Sequence, residues 1–153
     1  MEKINLKLHE FYSLEAELSG ISNQQTGEVL SKGLLNEKLK LTTKYWMNDL
    51  LKKVADVKSD CEKLKQDIIK KHGTEDDKGN ISIPFYITNT AEDGSEATVQ
   101  NPAFIEFQTE FNGLLQETRE LEYKQFSIDI LDNIDSEGNY PIFFSLLKVN
   151  ELN

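Results

Sequence analysis

Residues 47–68 read MNDLLKKVADVKSDCEKLKQDI, and this stretch carries the strongest fold signal in the chain. Apolar residues recur in it at alternating steps of three and four, which places them on one face of an α-helix. Lysine and acidic residues fill most of the intervening positions, so the opposite face is charged. About three heptads of apolar seam with charged flanks are typical of a helix that packs along another helix. The seam consists of Met47, Leu50, Val54, Val57, Cys61, Leu64 and Ile68.

The helix that contains this seam is predicted to span residues 31–72 and to end at Gly73. A second helix is predicted to begin at Asn101-Pro102, because Asn caps helices and Pro fits their first turn. Helices with matching apolar faces are stabilised by burying those faces against each other. We therefore expect a long, coiled-coil-like antiparallel helical hairpin of residues 31–72 and 101–123. The second seam consists of Phe104, Phe107, Phe111, Leu114, Thr118 and Leu121.

The connecting segment, residues 74–100, breaks the helical pattern. A turn at residues 77–80 precedes a strand-like run, Ile81–Ile87, in which Pro84 lacks an N–H group. A second turn follows at residues 92–95. A β-hairpin and a flexible excursion both fit this segment.

Short strands and helices account for the rest of the chain. Residues 3–8 and 126–130 alternate polar and apolar side chains, so both read as strands and are candidates for pairing with each other. Residues 9–18 have helical spacing and precede Gly20, while Pro141–Leu147 is predicted to form a short closing helix. The expected fold class is α+β, a single domain of residues 1–153 with its strands gathered near one end of the hairpin.

The acidic balance of the chain argues against one large class of partner. Its 153 residues carry a formal net charge of −10, and residues 73–153 alone hold 16 acidic and 4 basic side chains. Proteins that bind nucleic acid through its phosphates need a basic face. No apolar run approaches the roughly 20 residues of a membrane span. We therefore expect a soluble protein that binds neither nucleic acid directly nor a membrane.

No motif indicates a cofactor, a metal ion or a catalytic centre. The sequence lacks a glycine-rich phosphate loop, a GxSxG elbow and a dinucleotide fingerprint. Its acidic loops fail the calcium-loop spacing; in one alignment Phe144 stands where a glutamate ligand is needed. His9 and His72 lack metal-ligand spacing, and Cys61 lies on the apolar seam, where a buried thiol is expected. The expectation is a protein without enzymatic activity, metal or cofactor.

Aromatic and acidic residues in the C-terminal part are candidates for binding a partner. Aromatic side chains are enriched at interface hot spots, provided that they are exposed in the free protein. Acidic surface is attracted to basic patches on a partner. The aromatic residues fit a core role as well, and that alternative stays open. The candidates are Tyr123, Asp129, Asp132, Asp135, Tyr140 and Phe143.

The combined pattern resembles a family of small acidic proteins of tailed bacteriophages. The similarity rests on the heptad helix 47–68, the turn 75–80, the helix 101–121 and the strand 126–130 with its acidic turn. The segment NYPIFF at residues 139–144 is also similar to proteins of crAss-like gut phages. The resemblance covers most of the chain from about residue 31. It implies a structural or assembly role and supplies no catalytic residues.

The resemblance implies a non-enzymatic structural protein that decorates the capsid or serves head or tail assembly. Its partners would be other virion proteins, and its location the virion or the host cytoplasm. An alternative is a phage-encoded inhibitor that binds a host protein through its acidic surface. A third hypothesis is a small chaperone-like coiled-coil protein.

Overall fold

The computed structural model describes residues 1–134 and 138–148, which combine helices and strands in an α+β fold. This confirms the predicted fold class. Two 3₁₀ helices, Leu34–Asn36 and Ile128–Asn133, accompany the α-helices. The α-helices are α1 (Leu8–Ser19), α2 (Leu41–His72), α3 (Pro102–Leu115) and α4 (Pro141–Phe144).

The strands of the described residues are short and pair two by two. Four pairs are antiparallel, and the pair nearest the C-terminus is parallel. The antiparallel pairs are β1 (Glu2–Lys7) with β8 (Thr118–Tyr123), β2 (Ile21–Ser22) with β3 (Val29–Ser31), β4 (Thr74–Glu75) with β5 (Ile81–Ser82), and β6 (Tyr86–Thr90) with β7 (Glu96–Gln100). The parallel pair is β9 (Phe126–Ser127) with β10 (Leu147–Lys148).

The chain groups into two compact units. Unit 1 comprises residues 1–59 and 118–153, and unit 2 comprises residues 60–117. Helix α2 contributes its first part to unit 1 and its last part to unit 2. The single domain expected from chain length stays a prediction. A single cooperative melting transition would support it.

The core of unit 1 forms where apolar faces of α1 and α2 are buried. The seam residues Met47, Leu50, Val54 and Val57 are at most 6% exposed and Cys61 is 2% exposed, which confirms the predicted register as far as Cys61. Leu64 is 46% exposed, so its predicted burial is wrong. Next to Val57, the ammonium group of Lys58 pairs with Glu15 of α1. It also lies 5.4 Å from the centroid of the ring of Tyr12, likewise on α1. The buried residues that α1 contributes are Leu8, Phe11, Leu14, Glu17 and Leu18.

The predicted second helix is too long by two turns. Helix α3 ends at Leu115, and Thr118–Tyr123 instead forms β8, which pairs with β1. In a strand, side chains alternate between faces, so Leu121 and Tyr123 are buried while Glu120 and Glu122 stay exposed. Burial of two large side chains on one face therefore outweighs continuation of the helical spacing.

The predicted pairing of residues 126–130 with the first strand is wrong. Only Phe126–Ser127 is extended, and it pairs with Leu147–Lys148. The Ser127 hydroxyl accepts the N–H of Asp129 at 3.3 Å and so caps the 3₁₀ helix that follows. The alternation of polar and apolar residues in this segment reflects a capped helical turn rather than a strand.

The first long helix begins ten residues later than predicted, at Leu41. Gly33 has a φ angle of +81°, which a right-handed helix does not allow. A 3₁₀ turn at Leu34–Asn36 follows and buries Leu34. Residues 31–40 thus belong to the connection between α1 and α2, which contributes Leu34 to the core of unit 1.

Candidate functional site

The predicted aromatic anchors Tyr123, Tyr140 and Phe143 are buried, with 7%, 1% and 0% of their surface exposed. The rings of Phe143 and Phe126 lie 5.1 Å apart, and the Tyr140 hydroxyl donates to Oε1 of Glu37 at 3.3 Å. A docking role requires that these side chains be exposed in the free protein, and they are not. The structure corrects this expectation: the three side chains belong to the core of unit 1.

The predicted acidic residues differ in what the structure says of them. Asp129 and Asp132 are exposed on the 3₁₀ helix of unit 1 and line a shallow depression together with Lys40 and Thr43. The carboxylate of Asp129 also accepts the hydroxyl of Ser127 at 3.1 Å, which gives it a local structural role. Asp135 lies outside the described residues. Asp129 and Asp132 stay candidates for a partner contact.

A continuous line of aromatic rings in unit 2 is the most distinctive surface feature of the described residues. We call it the aromatic row. Ring centroids are 4.7 Å apart for Tyr86 and Phe85, 4.6 Å for Phe85 and Phe104, 6.0 Å for Phe104 and Phe107, and 5.9 Å for Phe107 and Phe111. These separations are those of favourable aromatic contacts. The row thus runs from the start of β6 along α3.

Local sequence explains how the row is assembled. The steps of three and four between Phe104, Phe107 and Phe111 place these rings on one face of α3. Asn101 caps α3, because its side-chain oxygen accepts the N–H of Ala103 at 3.1 Å. The same residue donates its backbone N–H to Phe85 O and its side-chain amide to Pro84 O, each at 2.9 Å. These bonds fix Phe85 beside the first turn of α3.

The aromatic row is incompletely buried. Tyr86 is 60% exposed and Phe85 44% exposed, while the three phenylalanines of α3 are half-buried. Helix α3 has no buried residue, and in unit 2 the structure describes only Cys61 and Asn101 as buried. A contiguous, half-exposed aromatic surface is typical of a place where another molecule docks.

Unit 2, which carries the aromatic row, has an acidic composition. Residues 60–117 contain twelve acidic and five basic side chains. Near the row, the ammonium group of Lys65 lies 5.3 Å from the centroid of the Phe111 ring, a cation–π contact. Unit 2 therefore combines half-exposed aromatic rings with a negative charge that attracts cationic groups.

Polar contacts join the end of α2 to α3 within unit 2. His72 Nε2 lies 2.7 Å from Glu110 Oε2, and its Nδ1 lies 3.4 Å from a carboxylate oxygen of Glu106. Lys71 Nζ lies 3.1 Å from Glu110 Oε1. Hydrogen bonds from His72 and then Lys71 hold the pKa of the Glu110 carboxyl below its usual range. Glu110 therefore stays ionised and holds this side of α3 in place.

The spacing of the phenylalanines of α3 predicts that they form part of a helix–helix seam, and this stays a prediction. Sequence reasoning missed Phe85 and Tyr86 as site residues. The available signal was an aromatic pair directly after Pro84 in a segment that carries many acidic side chains. What could not be read from the sequence is that the row stays half-exposed.

A buried carboxylate in unit 1 has a structural role. Glu17 of α1 is 8% exposed, and its two oxygens accept the backbone N–H groups of Ile142 and Phe143, each at 2.9 Å. These N–H groups belong to the first turn of α4, where they have no partner inside the helix. Burial raises the pKa of Glu17, although the two hydrogen bonds act in the opposite direction. Glu17 therefore tethers the C-terminal segment to α1.

The burial of Glu17 predicts a pH-dependent stability. Because folding raises the pKa of Glu17, its contribution is fully present below the unfolded pKa, about 4.3, and is lost as pH rises through the folded value. Glu17→Gln abolishes this titration and leaves one N–H without an acceptor, at a cost of about 1–3 kcal/mol. Denaturant unfolding should show that the advantage of the native chain over Glu17→Gln is larger at pH 4 than at pH 7.

The matched control is Glu28→Gln, which removes the same charge at an exposed position of unit 1. A difference between the native chain and Glu17→Gln that is constant from pH 4 to pH 7 would contradict the assigned environment.

Two further findings concern metal ions and membranes. Within 1–134 and 138–148, no three His, Cys, Asp or Glu side chains are placed so that they could hold a metal ion. In the same residues, none of the helices combines the length and the apolar composition that crossing a bilayer requires.

Comparison with protein-family models, with curated proteins and with solved structures gave no match to this chain.

Proposed function

We propose that this chain is a non-enzymatic structural protein of a tailed bacteriophage, associated with the capsid or acting in head or tail assembly. The phage setting rests on the resemblance of most of the chain, from about residue 31 onward, to small acidic phage proteins. The binding role rests on one observation: five aromatic rings of unit 2 form a continuous row, and none of them is buried.

The chemistry of unit 2 indicates what its partner offers. Large, half-exposed aromatic side chains gain most when an apolar group of a partner covers them and excludes water. The excess of twelve acidic over five basic side chains favours a partner that surrounds this apolar group with Lys or Arg. We propose another virion protein with such a surface, and neither nucleic acid nor a membrane.

We further propose that the end of α2 and α3 form an antiparallel helical hairpin with coiled-coil-like packing. Support comes from the order of the contacts within unit 2. Lys65 lies over the ring of Phe111, whereas His72, seven residues later on α2, contacts Glu110 and Glu106, which precede Phe111 on α3. Contacts that advance along one helix and recede along the other are those of antiparallel neighbours.

Substitution of the row tests the binding role. Tyr86→Ala removes a ring that is 60% exposed, so the folded chain should keep its melting temperature. Loss of a hot-spot ring costs about 2 kcal/mol of binding, or roughly thirtyfold in affinity. Incorporation of the variant into phage particles, measured against the native chain in one competition experiment, should fall accordingly.

Tyr45→Ala is the matched control, because Tyr45 is a tyrosine of unit 1 that is 66% exposed. Its incorporation should equal that of the native chain. Equal incorporation of Tyr86→Ala would contradict a role of the row. If incorporation is lost instead when the charges of Asp129 and Asp132 are reversed, the partner contact would lie on unit 1.

A further inference from the structure

The β6–β7 hairpin of unit 2 has a regular ladder with a defined orientation. Asn101 donates its N–H to Phe85 O at 2.9 Å, and Ala91 donates to Ser95 O at 2.8 Å. Hydrogen-bonded and non-hydrogen-bonded pairs alternate along an antiparallel ladder. The two hydrogen-bonded pairs between these ends are therefore Ile87 with Val99 and Asn89 with Ala97. The intervening residues therefore point their N–H and C=O groups away from the partner strand.

On β7 these outward residues are Glu96, Thr98 and Gln100. No acceptor among the described residues meets their N–H groups, and β7 has no strand neighbour there other than β6. The side chains of all three are exposed. The outer edge of β7 is thus a row of backbone donors and acceptors in contact with solvent.

Apart from the charge of Glu96, this edge lacks the common devices by which proteins protect exposed strands. Natural edges carry Lys, Pro or a bulge that prevents another strand from pairing with them. Residues 86–100 contain no Lys, Arg or Pro, and the five residue pairs of the hairpin keep one unbroken register. In contrast, β1 carries Lys3 and Lys7, and its partner β8 carries Arg119.

The charge of the hairpin selects among the possible occupants. Its acidic residues are Glu92 and Asp93 in the turn and Glu96 at the start of β7. The N–H and hydroxyl of Ser95 donate to Asp93 Oδ1 at 2.9 and 2.6 Å, which favours its ionised form. A second copy of the chain would bring the same carboxylates, whereas a basic strand would complement them.

We propose that the outer edge of β7 binds an extended basic segment of a partner protein, which adds a third strand to the hairpin. Main-chain hydrogen bonds to Glu96, Thr98 and Gln100 supply the affinity, and Lys or Arg opposite the acidic turn sets the preference. A two-stranded hairpin is marginally stable alone, so a third strand also orders it. This inference rests on the proposed role of unit 2 in partner binding and specifies its mode.

The test uses the whole chain and a capped synthetic peptide, Thr-Lys-Val-Lys-Val-Lys-Val-Lys-Thr, in a fluorescence anisotropy titration. The peptide should bind, more weakly as salt rises, while the same peptide with Glu in place of Lys should not. Hydrogen exchange of the Thr98 and Gln100 amides should slow when the Lys peptide is added. Thr98→Pro removes an outward N–H without breaking a β6–β7 bond and should weaken binding about tenfold or more.

Two variants control for the fold and the edge. Thr98→Val keeps the backbone N–H and should bind like the native chain. Thr88→Pro makes the same change on the outer edge of β6 and should also retain binding. Absence of Lys-peptide binding, or equal loss in Thr98→Pro and Thr88→Pro, would overturn the proposal. The proposed function is tested separately, by incorporation into particles, so either of these results would leave it standing.

Discussion

Val57→Asp is expected to lower the free energy of unfolding by about 3 kcal/mol or more. Val57 is 6% exposed and lies on the face of α2 that also carries the buried Leu50, Val54 and Cys61. An aspartate there loses the apolar contacts and takes a carboxylate out of water without a partner. Chemical denaturation followed by circular dichroism should show an earlier midpoint at neutral pH.

Ala55→Asp is the matched control, because it introduces the same carboxylate two residues away on the exposed side of α2. Lys52 and Lys58 lie three residues before and after it, so the new charge has favourable helical neighbours. Its effect should stay within about 0.5 kcal/mol. Equal destabilisation by the two substitutions would mean that the register assigned to α2 is wrong.

Gly33→Ala is the second substitution for which we expect a large effect, about 3 kcal/mol. Gly33 has a φ angle of +81°, and a Cβ atom added to it would lie 2.4 Å from Gly20 N and 2.8 Å from Leu18 O. These are backbone atoms at the end of α1, which cannot turn aside as a side chain would. The clash would separate α1 from the connection that carries the buried Leu34.

Gly27→Ala is the control that measures the cost of the positive φ angle without the steric clash. Gly27 also has a positive φ angle, +73°, but no atom lies within 4 Å of its added Cβ. It should cost only the conformational penalty, about 1 kcal/mol. Thermal melts of the two variants should therefore differ clearly. Similar melting temperatures would show that Gly20 and Gly33 do not approach each other closely.

Sequence reasoning succeeded where one local rule acted alone. The spacing of Met47, Leu50, Val54 and Val57 placed the buried face of α2 correctly. Gly20 ends α1, and Asn101 caps α3, as expected from their capping chemistry. Of the alternatives for residues 74–100, the structure has two hairpins, β4–β5 and β6–β7.

Sequence reasoning failed where distant parts of the chain decide the outcome. Thr118 and Leu121 continue a helical spacing, yet pairing with β1, more than a hundred residues away, makes a strand of them. Tyr140 and Phe143 could be core or surface on local evidence. Both are buried in a segment whose backbone, at Ile142 and Phe143, donates hydrogen bonds to the distant Glu17 of α1. The half-exposure of the aromatic row likewise depends on which other segments cover α3.

The proposed structural role is tested most directly by quantitative mass spectrometry of purified particles of the bacteriophage proposed to encode this chain. A structural role predicts that the chain co-purifies with particles at a fixed ratio to the capsid or tail proteins, from one preparation to the next. Absence from particles, with the chain made early in infection and bound to a host protein, would contradict that role and favour the inhibitor.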